Sequence, residues 1–124
     1  MIINCPADAY KLIGPITRYR YERLGVILLD EKRRVIKKRY ISTTSNRDSA
    51  SFHIKHIFWF ACANKASGII VYHNHPSGIC TPSVLDKDAC QQILAACNVL
   101  GIVLADFMIA VKNGYYSFRE VNLV

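Results

Sequence analysis

The sequence contains no uncharged apolar run long enough to cross a membrane. Hydrophobic residues make up 52% of its 124 residues, but Gly, Asn, His or Lys interrupts each run well short of the ~20 residues that a spanning helix needs. The first eight residues lack both the basic segment and the long apolar segment of a secretory signal. We therefore expect a cytoplasmic protein that does not associate with membranes.

The sequence also lacks paired cysteines. The five cysteines are odd in number and include no C-x-x-C pair: Cys5, Cys62, Cys80, Cys90 and Cys97. This pattern disfavours a disulfide framework and a four-cysteine zinc knuckle. Cys90 and Cys97 lie seven apart on a predicted helix among apolar residues, which favours buried free thiols.

Acidic residues are few, with nine Asp and Glu against sixteen Lys and Arg, which gives a net charge of +7. Six of the basic residues lie within eight positions: Lys32, Arg33, Arg34, Lys37, Lys38 and Arg39. Such a cluster can attract the phosphates of DNA or an acidic protein surface. It is equally typical of a solvated edge strand that Lys and Arg protect from aggregation.

The order of apolar runs and turn signals predicts one domain of helices and strands. Strands are expected over residues 21–30, 34–42, from 68 through the histidines at 73 and 75, 102–111 and 116–118, with turns at 30–32 and 112–115. Helices are expected from residue 6 to Gly14-Pro15, over 51–66 and over 83–100. A polar loop is expected over 43–50. The first 15 residues form a separate helical segment, and 16–124 form the main domain.

The stretch from His73 to Asp86 carries the clearest chemical signal. The β-branched run before it delivers His73 and His75 at i and i+2, which points both imidazoles to one side of an extended strand. Pro76, Ser77 and Gly78 end the strand, and Asp86 falls in the first turn of the next helix. Two histidines and one carboxylate are the protein ligands of a catalytic zinc that keeps a position for water.

Each part of this stretch also has a simpler interpretation. Ser83 with Asp86 three residues later is an ordinary capping arrangement for a helix, and Pro-Ser-Gly is an ordinary turn. A lone His-x-His is more often found without a metal than with one. Only the complete string favours a metal site.

The complete string resembles a known family. His73, His75, Ser83 and Asp86 match the His-x-His-x7-Ser-x2-Asp pattern of the JAMM (Jab/MPN) metalloprotease fold, and His-Asn-His-Pro-Ser-Gly followed by Thr-Pro-Ser is similar to its RadC branch. The resemblance covers about residues 16–124. It implies an α/β fold of the α+β type, with a mixed, mostly antiparallel sheet flanked by helices in the cytidine-deaminase-like arrangement. The helix-hairpin-helix region common in RadC-like proteins is not expected here.

The resemblance also implies roles for single residues. His73, His75 and Asp86 would hold Zn²⁺, and Glu22, at the start of the first strand, would act as general base towards a zinc-activated water. Ser83 would donate its hydroxyl to the oxyanion. Two alternatives stay open, since Glu22 can be a strand-end acid that pairs with Arg20 or Arg23, and Ser83 can act only as a helix cap.

Asp106 precedes Phe107, where RadC-like sequences typically have Asp-His, and Asp106 is a candidate for orienting a ligand histidine. The implied activity is zinc-dependent hydrolysis of a peptide or isopeptide bond. The alternative is a DNA-repair-related binding module in which Arg33, Arg34, Lys37, Lys38 and Arg39 contact DNA and the zinc is structural or vestigial. The sequence makes no prediction for the oligomeric state.

Overall fold

The computed structural model describes the backbone of residues 1–41 and 50–124 and the side chains of residues 1–41 and 54–124. Its helices are α1 (Pro6–Ile13), a 3₁₀ helix (Gly14–Arg18), α2 (Ala50–Ala63) and α3 (Val84–Leu100). Its strands are β1 (Leu24–Leu29), β2 (Val35–Ile41), β3 (Gly68–Asn74), β4 (Val103–Val111) and β5 (Gly114–Ser117). Residues 43–49 of the predicted polar loop lie outside the described residues, and residue 50 is the first residue of α2.

The five strands form one sheet in the order β2-β1-β3-β4-β5. Neighbouring strands are antiparallel except β3 and β4, which run parallel. The predicted mixed, mostly antiparallel sheet with flanking helices is therefore confirmed. The central strand β3 is buried along its whole length, which explains its continuous apolar sequence.

The sheet separates two apolar clusters, one on each face. Ile69 and Val71 of β3 pack with α2 and α3, whereas Ile70 and Tyr72 pack with α1 and the 3₁₀ helix. Because successive side chains of a strand point to opposite faces, the side chain of His73 points to the α2–α3 face. The side chain of the next residue, Asn74, points to the α1 face. This alternation decides what each residue of the motif can reach.

The N-terminal helix packs on the sheet. Ala9 and Ile13 of α1 are buried in the second apolar cluster, and Pro6 begins the helix at a position where its missing N–H costs nothing. Cys90 and Cys97 of α3 are buried and free, as predicted. Among the described residues, none of the helices is both long and apolar enough to cross a membrane.

Candidate metal centre

The structure brings the two histidines of the motif to Asp86. Nε2 of His73 lies 2.9 Å from Oδ1 of Asp86, and Nε2 of His75 lies 3.1 Å from Oδ2 of Asp86. The imidazole centroids are 5.0 Å apart. The end of β3 and the first turn of α3 therefore converge on one point, as the spacing of the motif predicts.

Asp86 is fixed by a capping box at the start of α3. The backbone N–H of Asp86 donates to Oγ of Ser83, and the backbone N–H of Ser83 donates to Oδ2 of Asp86. Burial raises the pKa of the Asp86 carboxyl, but the contact with His73 and the hydrogen bonds from Ser83 lower it by more, so its pKa lies well below the ordinary value. The carboxyl group is thus a carboxylate with a set orientation.

The tautomer of His75 is set by a backbone carbonyl. Nδ1 of His75 lies 2.8 Å from the carbonyl oxygen of Ile79, and since a carbonyl only accepts, we assign the proton to Nδ1. The lone pair of Nε2 then faces the carboxylate of Asp86. Two electron-rich atoms 3.1 Å apart require a cation between them, either an added proton or a metal ion.

His73 is buried, with 6% of its surface exposed. Among the described residues, Nδ1 of His73 has no hydrogen-bond partner, and Nε2 lies 2.9 Å from Oδ1 of Asp86 without forming a regular hydrogen bond. A buried imidazole whose nitrogens lack hydrogen bonds is costly in a folded protein. Coordination of a metal ion by Nε2 would remove this cost at that atom.

The donor set fits zinc. Two imidazole nitrogens and one carboxylate are ligands that zinc commonly takes, with metal–ligand distances of about 2.0–2.2 Å. In a tetrahedral arrangement such distances separate neighbouring ligand atoms by roughly 3.3 Å. The observed 2.9 and 3.1 Å between the histidine nitrogens and the carboxylate are close to this separation.

Glu22 lies beside the histidines, just before β1. A carboxylate oxygen of Glu22 and one ring nitrogen each of His73 and His75 lie within 4.8 Å of one another. Among the described residues, these three side chains could therefore hold a metal ion. Glu22 is exposed, and its carboxylate is therefore accessible to water. The position suits a general base and also suits a further ligand.

The role of Asn74, between the two histidines, is not predicted by the spacing of the motif. Asn74 is 1% exposed, and its amide group binds the chain on either side of Glu22. It donates to the carbonyl oxygens of Tyr19 and Tyr21 at 3.3 and 3.1 Å and accepts from the N–H of Arg23 at 2.7 Å. A polar residue inside an otherwise apolar buried strand was the available signal, because such a residue needs partners.

Asp106 is not brought to the histidines. Its carboxylate accepts from the hydroxyl of Ser117 and from the backbone N–H groups of Phe107 and Arg119, and it lines a cavity of about 530 Å³ on the α1 face. A register shift pairs Ile69 with Leu104 but Ile70 with Asp106. The extra residue turns Phe107 to the α2–α3 face, where its ring lies 5.5 Å from that of His73.

Most of the basic residues predicted to contact DNA have partners within the chain. Arg34 pairs with Asp30 at 2.7 Å, Nη2 of Arg33 donates to Asn4, and Nζ of Lys38 donates to the carbonyl oxygen of Leu12. The guanidinium of Arg39 lies 4.6 Å from the centre of the Phe60 ring. Lys37 is exposed on β2, at one edge of the sheet.

Comparison with known proteins places the chain in a family. The chain matches the family described as RadC-like JAB domain over residues 3–123. It is similar to UPF0758 proteins of Streptococcus equi subsp. zooepidemicus (37% identity over 119 residues), Streptococcus agalactiae serotype III (38% over 119) and Streptococcus uberis (42% over 119). In each case the match covers 96% of this chain and 52% of the relative. The chain thus spans about half the length of these curated relatives.

Proposed function

The chain belongs to the family of RadC-like JAB domains, and we propose that it is a zinc-dependent hydrolase that cleaves a peptide or isopeptide bond. The observation that carries this proposal is the approach of His73 and His75 to the carboxylate of Asp86, at 2.9 and 3.1 Å. The lone pair of His75 Nε2 and the carboxylate, 3.1 Å apart, need a proton or a metal ion between them. An exposed acid, Glu22, lies at the same place.

His73, His75 and Asp86 would hold the zinc in this proposal. When bound, zinc supplies Lewis acidity, which polarises an amide carbonyl and makes a water molecule acidic enough to react near neutral pH. His75 keeps its ligand nitrogen available because the carbonyl of Ile79 holds the proton on Nδ1. The capping box holds the carboxylate of Asp86 in place.

Glu22 and Ser83 would carry out the remaining steps. Glu22 takes the proton of the attacking water and returns it to the leaving amine, as a general base and then a general acid. The hydroxyl of Ser83, which accepts the N–H of Asp86, would turn its own hydrogen to the oxygen that gains charge when the carbonyl is attacked.

We place DNA binding second. Its only support is the charge cluster, and Arg33, Arg34, Lys38 and Arg39 already contact other parts of the chain. These contacts within the chain, at an edge of the sheet, fit basic residues that protect an edge strand from aggregation. DNA as a partner, and the cytoplasm as location, remain predictions from the sequence.

The first test of the proposal is metal content. We expect about one zinc per chain in protein purified without a histidine tag, and loss of that zinc in Asp86→Ala, since removing a ligand weakens the site strongly. Asp88→Ala is the matched control, because Asp88 is an exposed acid two residues further along α3. A parent protein that binds no zinc after reconstitution would refute the proposal.

The second test separates the two positions open to Glu22. As general base, Glu22→Gln retains zinc and lowers hydrolysis of fluorogenic peptide and isopeptide substrates by about 10²–10⁴. The control is Glu31→Gln, an exposed acid of the β1–β2 turn, which should hydrolyse like the parent. Loss of zinc in Glu22→Gln would make Glu22 a ligand instead, and unchanged turnover would exclude it as the base.

A further inference from the structure

We infer that Asn74 is a positioning residue that holds Glu22 against the metal centre from the opposite face of the sheet. The inference deepens the proposed function and rests on it for the catalytic part. His73 and His75 lie on either side of Asn74 in the chain, yet the Asn74 side chain contacts neither of their rings in the hydrogen bonds of the described residues. Its partners are all in the segment that carries Glu22.

The contacts of Asn74 use its whole amide group. The oxygen accepts one hydrogen bond, from Arg23 N–H at 2.7 Å, and the NH₂ group donates two, to Tyr19 and Tyr21. Asn74 is almost completely buried, where a hydrogen bond is electrostatically stronger than in water. The backbone is therefore held at both neighbours of Glu22, which limits how far the carboxylate can move.

The alternation of β3 explains how one tripeptide does both tasks. His73 points to the α2–α3 face, where Asp86 lies, and Asn74 points to the α1 face, where Tyr19 packs. The segment 19–23 passes the end of β3 on its way into β1, so Asn74 can hold it while the histidines meet the Glu22 carboxylate. The His-Asn-His order thus sets the metal ligands and the position of the acid together.

The Arg23 side chain also holds the segment 19–23, but it does not replace the hydrogen bonds of Asn74. The guanidinium of Arg23 lies 4.5 Å from the ring centre of Tyr19 and 4.4 Å from that of Tyr40. This stacking fixes the Arg23 side chain. The backbone on the other side of Glu22 is held by Asn74 through the carbonyl of Tyr21.

The first experiment needs no substrate and no metal. Amide hydrogen exchange of Arg23, measured by NMR on zinc-free protein, should be faster by about tenfold or more in Asn74→Ala, because the N–H loses its acceptor and the segment opens locally. Asn64→Ala is the matched control, since Asn64 makes one hydrogen bond to the backbone within α2 far along the chain from Glu22. Unchanged exchange at Arg23 would overturn the inference, whether or not the protein hydrolyses anything.

The second experiment is a double-mutant cycle on the zinc-loaded protein. Asn74→Ala should bind zinc like the parent and lower kcat by about 10²-fold, the effect of misplacing a catalytic group by ~1 Å. In the Glu22→Gln background the same substitution should change kcat less than about twofold, because the two residues act as one unit. Equal losses in both backgrounds would show that Asn74 acts only on the fold.

The design separates failure of the inference from failure of the proposed function. Faster exchange at Arg23 together with an absence of hydrolysis in the parent would leave the positioning role intact and refute the activity. If Asn74→Ala does not fold, Asn74→Asp replaces it in the double-mutant cycle. Asp retains the acceptor for Arg23 but cannot donate to Tyr19 and Tyr21, so we expect the same loss of kcat with the Arg23 amide still protected, and a kcat like that of the parent would overturn the inference.

Discussion

The hydroxyl group of Ser83 has two possible tasks that one substitution would not separate. It caps α3 by accepting the N–H of Asp86, and in the proposed reaction it donates to the oxyanion. An alanine at an N-cap lowers the free energy of unfolding by about 1 kcal/mol, whereas a glycine lowers it by only a few tenths. Comparing Ser83→Ala with Ser83→Gly therefore varies the cap while the hydroxyl is absent from both.

We predict that the two Ser83 variants differ in stability but not in rate. Urea denaturation should give a free energy of unfolding lower by about 1 kcal/mol in Ser83→Ala and near that of the parent in Ser83→Gly. The kcat of both should fall alike, by about 10²–10³, since both lack the donor. A Ser83→Gly protein with the kcat of the parent would reduce Ser83 to a helix cap.

Among the elements, β1 and β3 depend on one glycine at their contact. Gly25 of β1 lies opposite Tyr72 of β3, and a Cβ built at Gly25 would overlap the ring of Tyr72. Tyr72 is 1% exposed, so its ring has no open space into which it can move. Overpacking of this kind typically costs 1–3 kcal/mol.

We therefore predict that Gly25→Ala lowers the free energy of unfolding by about 1–3 kcal/mol in urea denaturation. Gly14→Ala serves as control, because Gly14 has a helical φ of −46° and nothing within 4 Å of its added Cβ. We expect that change to be neutral or to stabilise by up to about 1 kcal/mol. Equal stability of the two variants would mean that Tyr72 can be displaced.

The boundaries of the helices and strands could be predicted from the sequence, but the register of β4 against β3 could not. Apolar runs, Pro6, Ser83 and Gly101 mark the elements well, because caps and buried strands have local causes. The register shift between Ile69 and Ile70 has no such local signal. Strict alternation from Leu104 would have turned Asp106 towards the histidines, and the shift turns Phe107 there instead.

The same limit applies to residues whose partners are distant in the chain. The approach of His73 and His75 to Asp86 could be predicted because the three residues lie within fourteen positions in a spacing that carries chemistry. Asn74 binds a segment about fifty residues earlier, and Lys38 binds the end of α1. Such contacts depend on which strands are neighbours in the sheet, and this order cannot be predicted from local sequence patterns.

At the scale of the whole molecule, the candidate metal centre links elements that are far apart in the chain. Its residues come from the segment just before β1, the end of β3 with the residue that follows it, and the first turn of α3. In the unfolded chain these groups are not assembled. A metal that binds only the folded form adds its binding free energy to the stability of the whole domain, by RT ln(1 + [L]/Kd).

We predict that zinc raises the melting temperature on the order of 10 °C at a free concentration 100 times its Kd. The gain at that concentration is about 2.7 kcal/mol, and one kcal/mol shifts a domain of this size by about 4 °C. Differential scanning calorimetry should show the shift in the parent and in Asp88→Ala, and its reversal by a chelator. His75→Ala should not shift with zinc, because its remaining donors no longer form the site. A shift of equal size in His75→Ala would mean that the stabilising zinc binds elsewhere in the protein. The stabilisation would then say nothing about the centre at which we propose hydrolysis.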